Sequence, residues 1–304
     1  MIQLLKSLRN KLFSSLGTQL SYELSVARDD IINEIRKEHG SRINAVGQKQ
    51  LFHFYRLALS QGQEIDLKTT GFRNYSQFEE DGLILFILAA IGIKSRTFVD
   101  IGSANGINSN CANLAINFGF HGLFVDGDND LIDEGRSFYR THPETWLYPP
   151  KFESALVKTD SVNELIEKNG IKGEVDVLNI DIDGNDYWIW EALDIIEPRI
   201  VIIETHIELG SQPIAVPYDE NFCISEKQPD YFGASAPAMV KLAERKGYRL
   251  VGTNRFGFNL IFVKGDEGNE VLPKVELNDV LKHPRHFERM ISSEKLKEFK
   301  FVNL

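Results

Sequence analysis

Phe98-Val-Asp-Ile-Gly-Ser-Ala-Asn-Gly-Ile-Asn-Ser-Asn110 is a short apolar run that enters a turn with two glycines and then a helix. Strand, glycine turn and helix in that order make a ligand-binding turn. Gly102 and Gly106 let the backbone pass close to a ligand, and the helix start beyond them offers unpaired N–H groups. In an open α/β sheet, ligands collect at the carboxyl ends of strands where the strand order reverses.

Outward from this turn the pattern repeats. Strands are expected at Thr97–Ile101, Gly122–Asp126, Val175–Asp181, Arg199–Glu204, Tyr248–Asn254 and Phe258–Val263, with a further one around Phe152–Val157. Most alternate with helices, which predicts a mostly parallel sheet covered on both faces. Only Arg255-Phe-Gly257 separates the last two, so they should form an antiparallel hairpin. Three segments are expected: a helical extension over 1–70, the α/β domain over 71–265 and a charged tail of helix and loop over 266–304. In the extension, Leu5, Leu8, Leu12 and Leu16 with Lys6, Arg9 and Lys11 describe an amphipathic helix with a basic face. That face suits docking or assembly into a homo-oligomer, or peripheral contact with an anionic membrane. Further helices are expected over about Tyr22–His39 and Val46–Leu59.

The 304 residues carry a formal charge of −10, which disfavours nucleic acid as a partner. Two cysteines, Cys111 and Cys223, have no metal-ligand spacing and fit a reducing compartment. The longest apolar run, Leu83 to Ile93, is too short for a bilayer, and Lys6, Arg9 and Lys11 interrupt any export signal, so a cytoplasmic location is expected.

The spacing Gly-x-x-x-Gly lacks the G-x-G-x-x-G of a pyrophosphate-binding turn. Asp100, two residues before Gly102, would repel phosphate and suit a cationic amine. Asp126, twenty residues after Gly106, can accept both hydroxyls of a ribose. An acid for an amine and another for a ribose point to S-adenosylmethionine. The cofactor contacts expected are Gly102, Ser103, Asn105 and Gly106 in the turn, Asp100, Asp126 with Gly127, and Asp181. Upstream, Ser76-x-x-Glu79 reads as a capping box, which leaves Gln77, Glu80 and Asp81 to approach the cofactor.

These residues resemble the cofactor site of class I S-adenosylmethionine-dependent methyltransferases. More narrowly, Tyr75-Ser-Gln-Phe-Glu-Glu-Asp-Gly82, Asn179-Ile-Asp-Ile-Asp-Gly-Asn-Asp186 and Ile203-Glu-Thr-His206 resemble the FkbM-like family, many of whose members act on sugars and secondary metabolites. The resemblance covers about Tyr75 to Val263. It departs at Asp183-Gly184, where that family more often has Glu-Gly. It implies a Rossmann-like sheet of seven strands flanked by helices, and O-methylation (EC 2.1.1) of a hydroxyl on a sugar, glycan or related metabolite.

Asp181, Asp183 and Asp186 crowd the end of one buried strand, which is costly unless something positive is bound or water reaches them. The resemblance places this strand end near the transferred methyl. Two ways of removing the acceptor's proton fit. His206 can act as general base, which is the preferred reading, or Asp181, Asp183 and Asp186 can hold Mg²⁺, which lowers the pKa of a bound hydroxyl. Asp186 or Asn185 could equally cap the helix that follows. Pro213, Pro217, Tyr218, Tyr231 and Phe232 mark a long loop assigned to the acceptor. Asp126-Gly-Asp128 and Asp181-Ile-Asp183 also read as the D-x-D of a metal-dependent glycosyltransferase, and a non-catalytic scaffold on the same fold is the third reading.

Overall fold

A computed structural model of the protein describes residues 42–222, 230–280 and 290–304. The helices expected before residue 42, and Cys223, lie outside the described residues. The chain divides into two compact units, Met1–Gln48 and Lys49–Leu304, and the sheet and its cleft belong wholly to the second. Residues 49–70 and 266–304 therefore share one unit with the expected 71–265 domain. Among the described residues no helix is long and apolar enough to cross a membrane.

The helices are α1 (Arg42–Ser60), α2 (Glu80–Ile91), α3 (Ala112–Phe118), α4 (Asn129–Thr141), α5 (Val162–Lys168), α6 (Asp186–Ala192), α7 (Ala236–Arg245), α8 (Leu277–Val280) and α9 (Ser293–Leu296). The strands are β1 (Thr97–Ile101), β2 (His121–Asp126), β3 (Lys151–Ser154), β4 (Gly173–Ile180), β5 (Ile196–Glu204), β6 (Ile214–Ala215), β7 (Tyr248–Thr253), β8 (Asn259–Lys264) and β9 (Val302–Asn303).

Seven strands form one sheet in the order β3-β2-β1-β4-β5-β8-β7. β1 to β5 are parallel, and β8 runs antiparallel to both its neighbours, as the short link to β7 requires. Strands covered on both faces read as nearly continuous apolar runs, and Ile200-Val-Ile-Ile203 is buried throughout. Their parity builds two cores. Phe98, Phe124 and Ile202 pack on one face with Leu83, Phe86 and Ile87 of α2, while Val99, Val125 and Ile203 pack on the other with Trp190 and Met239. Phe52 and Tyr55 of α1 join the first core. The whole is the Rossmann-like class I methyltransferase sheet, with β1 at the point where the strand order reverses.

Two local expectations are corrected. Ser76 and Glu79 do not form a capping box: the Ser76 hydroxyl bonds the carboxylate of Asp81, and Glu79 pairs with Arg255 at 2.8 Å. The tail is not only helix and loop, because β9 pairs antiparallel with β6.

Candidate active site

Parallel register brings the carboxyl ends of three strands to one edge. Ile101 of β1 lies beside Ile180 of β4, and Ile180 beside Ile203 of β5. The residues that follow, Gly102, Asp181 and Glu204, consequently meet at the mouth of a cleft of about 1020 Å³. Gly102 has φ of +83°, and a Cβ there would overlap the carbonyl oxygen of Asp181. Glycine is thus required by both conformation and space. Asp126, at the end of β2, accepts hydrogen bonds from the N–H groups of Ala104 (2.8 Å) and Asp128 (2.9 Å), which ties its carboxylate to the glycine turn.

Of the expected site residues, Gln77, Gly102, Asp126, Gly127, Asp181, Asp183 and His206 line this cleft. The others are not among its lining residues. Asp100 is fully buried, where its carboxylate accepts from Asn179 Nδ2 at 2.8 Å and from the Ser109 hydroxyl; it fastens the turn from beneath. Asp81 is buried too, and one of its oxygens accepts the N–H groups of Asn74, Tyr75 and Ser76. Glu80 accepts from Asn254 and Asn259. Ser103 is buried, Asn105 bonds the Ile107 N–H, and Gly106 packs on the Phe124 ring.

Asp186 also leaves the expected cation set, because its two oxygens accept the N–H groups of Ile182 (2.8 Å) and Gly184 (2.9 Å) at the start of α6. Glu204 takes its place: one oxygen from each of Asp181, Asp183 and Glu204 lies within 4.8 Å of the others. Glu204 was findable, since it ends the strand next to the one that Asp181 follows. Burial raises all three acids, and mutual repulsion adds to the rise for Asp181 and Glu204. Asp183 has φ of +55°, a left-handed conformation uncommon outside glycine, at the lip of the cleft. Such oxygens are the hard donors that Mg²⁺ or Ca²⁺ takes, so the residues fit a divalent cation chemically.

His206 lines the same cleft, stacked on Phe232 with ring centroids 4.2 Å apart. Its Nδ1 faces the Phe232 carbonyl at 3.1 Å and its Nε2 faces a Glu208 carboxylate oxygen at 3.4 Å. Burial lowers its pKa, while Glu208 opposes that shift. The Phe232 carbonyl can only accept, so in the neutral ring Nδ1 carries the proton and Nε2 keeps the lone pair, on the side of Glu208.

At the opposite end, Ala155, Leu156 and Val157 supply an apolar shelf. Leu156 is 74% exposed and packs against Gly127, an arrangement that a flat heterocycle could cover. No motif in the sequence marks this shelf. Asp128, which belonged to the first D-x-D, instead caps α4 by accepting the Asp130 N–H at 2.8 Å.

The sheet order is that of the class I methyltransferase architecture. No protein-family model matches the chain, and no curated protein matches it in sequence. Solved structures similar to it include a SAM-dependent methyltransferase from Aquifex aeolicus, at 13% identity, covering 58% of this chain and 85% of that one, with a TM-score of 0.33. An O-methyltransferase from Bacillus cereus in complex with SAH gives 14% identity, 60% and 73% coverage and a TM-score of 0.33. The CcbJ methyltransferase from Streptomyces caelestis gives 14%, 61% and 89%, and 0.38. Likenesses this distant carry nothing about activity.

Proposed function

We propose that the chain is an S-adenosylmethionine-dependent O-methyltransferase of the FkbM-like kind, acting on a hydroxyl of a sugar, glycan or related metabolite. The observation that carries this reading is one cleft at the strand-order reversal that joins the Gly102 turn, the Asp126 carboxylate and the cluster of Asp181, Asp183 and Glu204. S-adenosylmethionine, when bound, supplies a methyl carbon activated by its sulfonium. Asp126 would accept the ribose hydroxyls, Leu156 and Gly127 would cover the base, and Asp181 would face the ammonium group. Asp181 takes this role because Asp100 is sealed beneath the turn.

The acceptor oxygen must be aligned and stripped of its proton. Nε2 of His206, the basic nitrogen of the neutral ring, would take that proton, and a carboxylate of the cluster is the alternative. The stacking of His206 on Phe232 also orients the wall of the acceptor loop. The same cluster would hold Mg²⁺ if the proton were removed through a metal-bound hydroxyl.

Calorimetry with S-adenosylhomocysteine, followed by mass spectrometry of sugars incubated with isotopically labelled S-adenosylmethionine, tests the reading. Binding and a labelled O-methyl product support it. Stabilisation by a sugar nucleotide, without affinity for S-adenosylhomocysteine, would favour the glycosyltransferase instead.

A further inference from the structure

The acceptor side of the cleft has an unusual inventory of charge. Among the described lining residues, every charged group is a carboxylate and the histidine is His206; no Lys or Arg is present. The rim acids have external partners, Glu220 with Lys158 at 2.9 Å and Asp230 with Lys295. Among the described residues, the inner carboxylates of Asp181, Asp183 and Glu204 have neither such a cation nor a hydrogen-bond donor.

A second, independent feature lies beside them. Asn259 lines the cleft and is 5% exposed, and its Oδ1 is buried without a hydrogen-bond partner. Its orientation is fixed, because Nδ2 donates to Glu80 Oε1 at 3.0 Å and a carboxylate can accept from the NH₂ end only. Asn259 stands directly opposite Glu204 in the antiparallel β5–β8 pair, so the two side chains share a face of the sheet. A buried amide oxygen left unpaired is costly, and a donor on a ligand would recover that cost. Phe222, Phe232 and Phe258 also line the cleft, and aromatic faces attract ammonium groups.

The geometry points to an acceptor that carries a protonated amine next to its hydroxyl: an amino sugar or other amino alcohol, its ammonium held by Glu204 and Asn259 Oδ1. With Asp181 on the cofactor's ammonium, Asp183 is then left to face the hydroxyl. This inference rests on the methyltransferase reading and narrows its substrate class. The carboxylates of the described lining repel a phosphorylated acceptor. A divalent cation could supply the positive charge instead, and the test separates the two.

Chelator-treated full-length protein saturated with S-adenosylhomocysteine is titrated calorimetrically with glucosamine, galactosamine and mannosamine, with their N-acetyl forms, and with glucose 6-phosphate. At least one amine should bind tenfold or more tightly than its N-acetyl form, and Glu204→Gln and Asn259→Ala should each remove that preference. S-adenosylhomocysteine affinity serves as the folding control in every variant. The inference is overturned if none of the amines binds, if N-acetyl or phosphorylated sugars bind as well as the amines, if either variant keeps the preference, or if binding appears only on adding Mg²⁺. Lack of affinity for S-adenosylhomocysteine itself would overturn the methyltransferase reading beneath it.

Discussion

Gly102 and the carbonyl oxygen of Asp181 approach so closely that no side chain fits between β1 and β4 at the cleft. The turn that would cradle the cofactor and the strand that carries the acids are in this way locked together. Gly102→Ala should cost about 3 kcal/mol or more, from left-handed strain plus overpacking against backbone. Gly119, also left-handed at +64° but with open space around it, provides the control: Gly119→Ala should cost only about 1–2 kcal/mol. Urea unfolding of both variants measures the difference, and equal losses would contradict the close approach.

Asp126→Ala should weaken S-adenosylhomocysteine binding about 10- to 100-fold, because charge-assisted bonds to two hydroxyls disappear and the Ala104 N–H loses its acceptor. Calorimetry reads the affinity. An unchanged value would place the ribose elsewhere.

Much of the fold was legible because buried parallel strands write their own pattern, as Ile200-Val-Ile-Ile203 does. The depth of the acids was harder to read. Asp100 has the parity of Phe98, whose ring packs in the core against Phe124, so its side chain turns under the turn rather than into the cleft. Alternation within β1 contained that information, whereas motif position alone did not. Asp81 could not be placed this way, since its three backbone donors come from an irregular segment. The β6–β9 pair joins two-residue strands nearly ninety positions apart, too short and too distant for any local signal.

Burial raises the pKa of Asp81 to about 6, against an ordinary value of 3.8. The folded state therefore holds this proton more tightly than the unfolded chain, and the associated stability is present below about pH 4 and lost as pH rises through about 6. The full effect is on the order of 3 kcal/mol. Asp81→Asn should remove this one-proton component, so the difference in unfolding free energy between wild type and variant should change between pH 4 and 6.5 and level off outside that window. A difference that stays constant across the window would mean that Asp81 does not titrate there.

The tail is tied to the segment that includes Ile214 and Tyr231, the loop proposed for the acceptor. β9 pairs with β6, the Tyr231 ring stacks on Phe299 at 4.9 Å, and the Tyr231 hydroxyl donates to the Lys300 carbonyl. On the other side of the same loop, Trp188 Nε1 donates to the Val216 carbonyl at 2.8 Å and Asn185 Nδ2 to that of Asp219 at 2.8 Å. Deleting residues 299–304 strips only the first set of ties. Hydrogen exchange should then accelerate over Ile214 to Tyr218, while Gly102 to Gly106 keeps its protection and S-adenosylhomocysteine affinity stays within about twofold. Local opening of this kind follows from lost pairing and exposed backbone, without global unfolding. If exchange instead rises equally in the glycine turn, the tail supports the whole sheet and its separate hold on the acceptor loop is refuted.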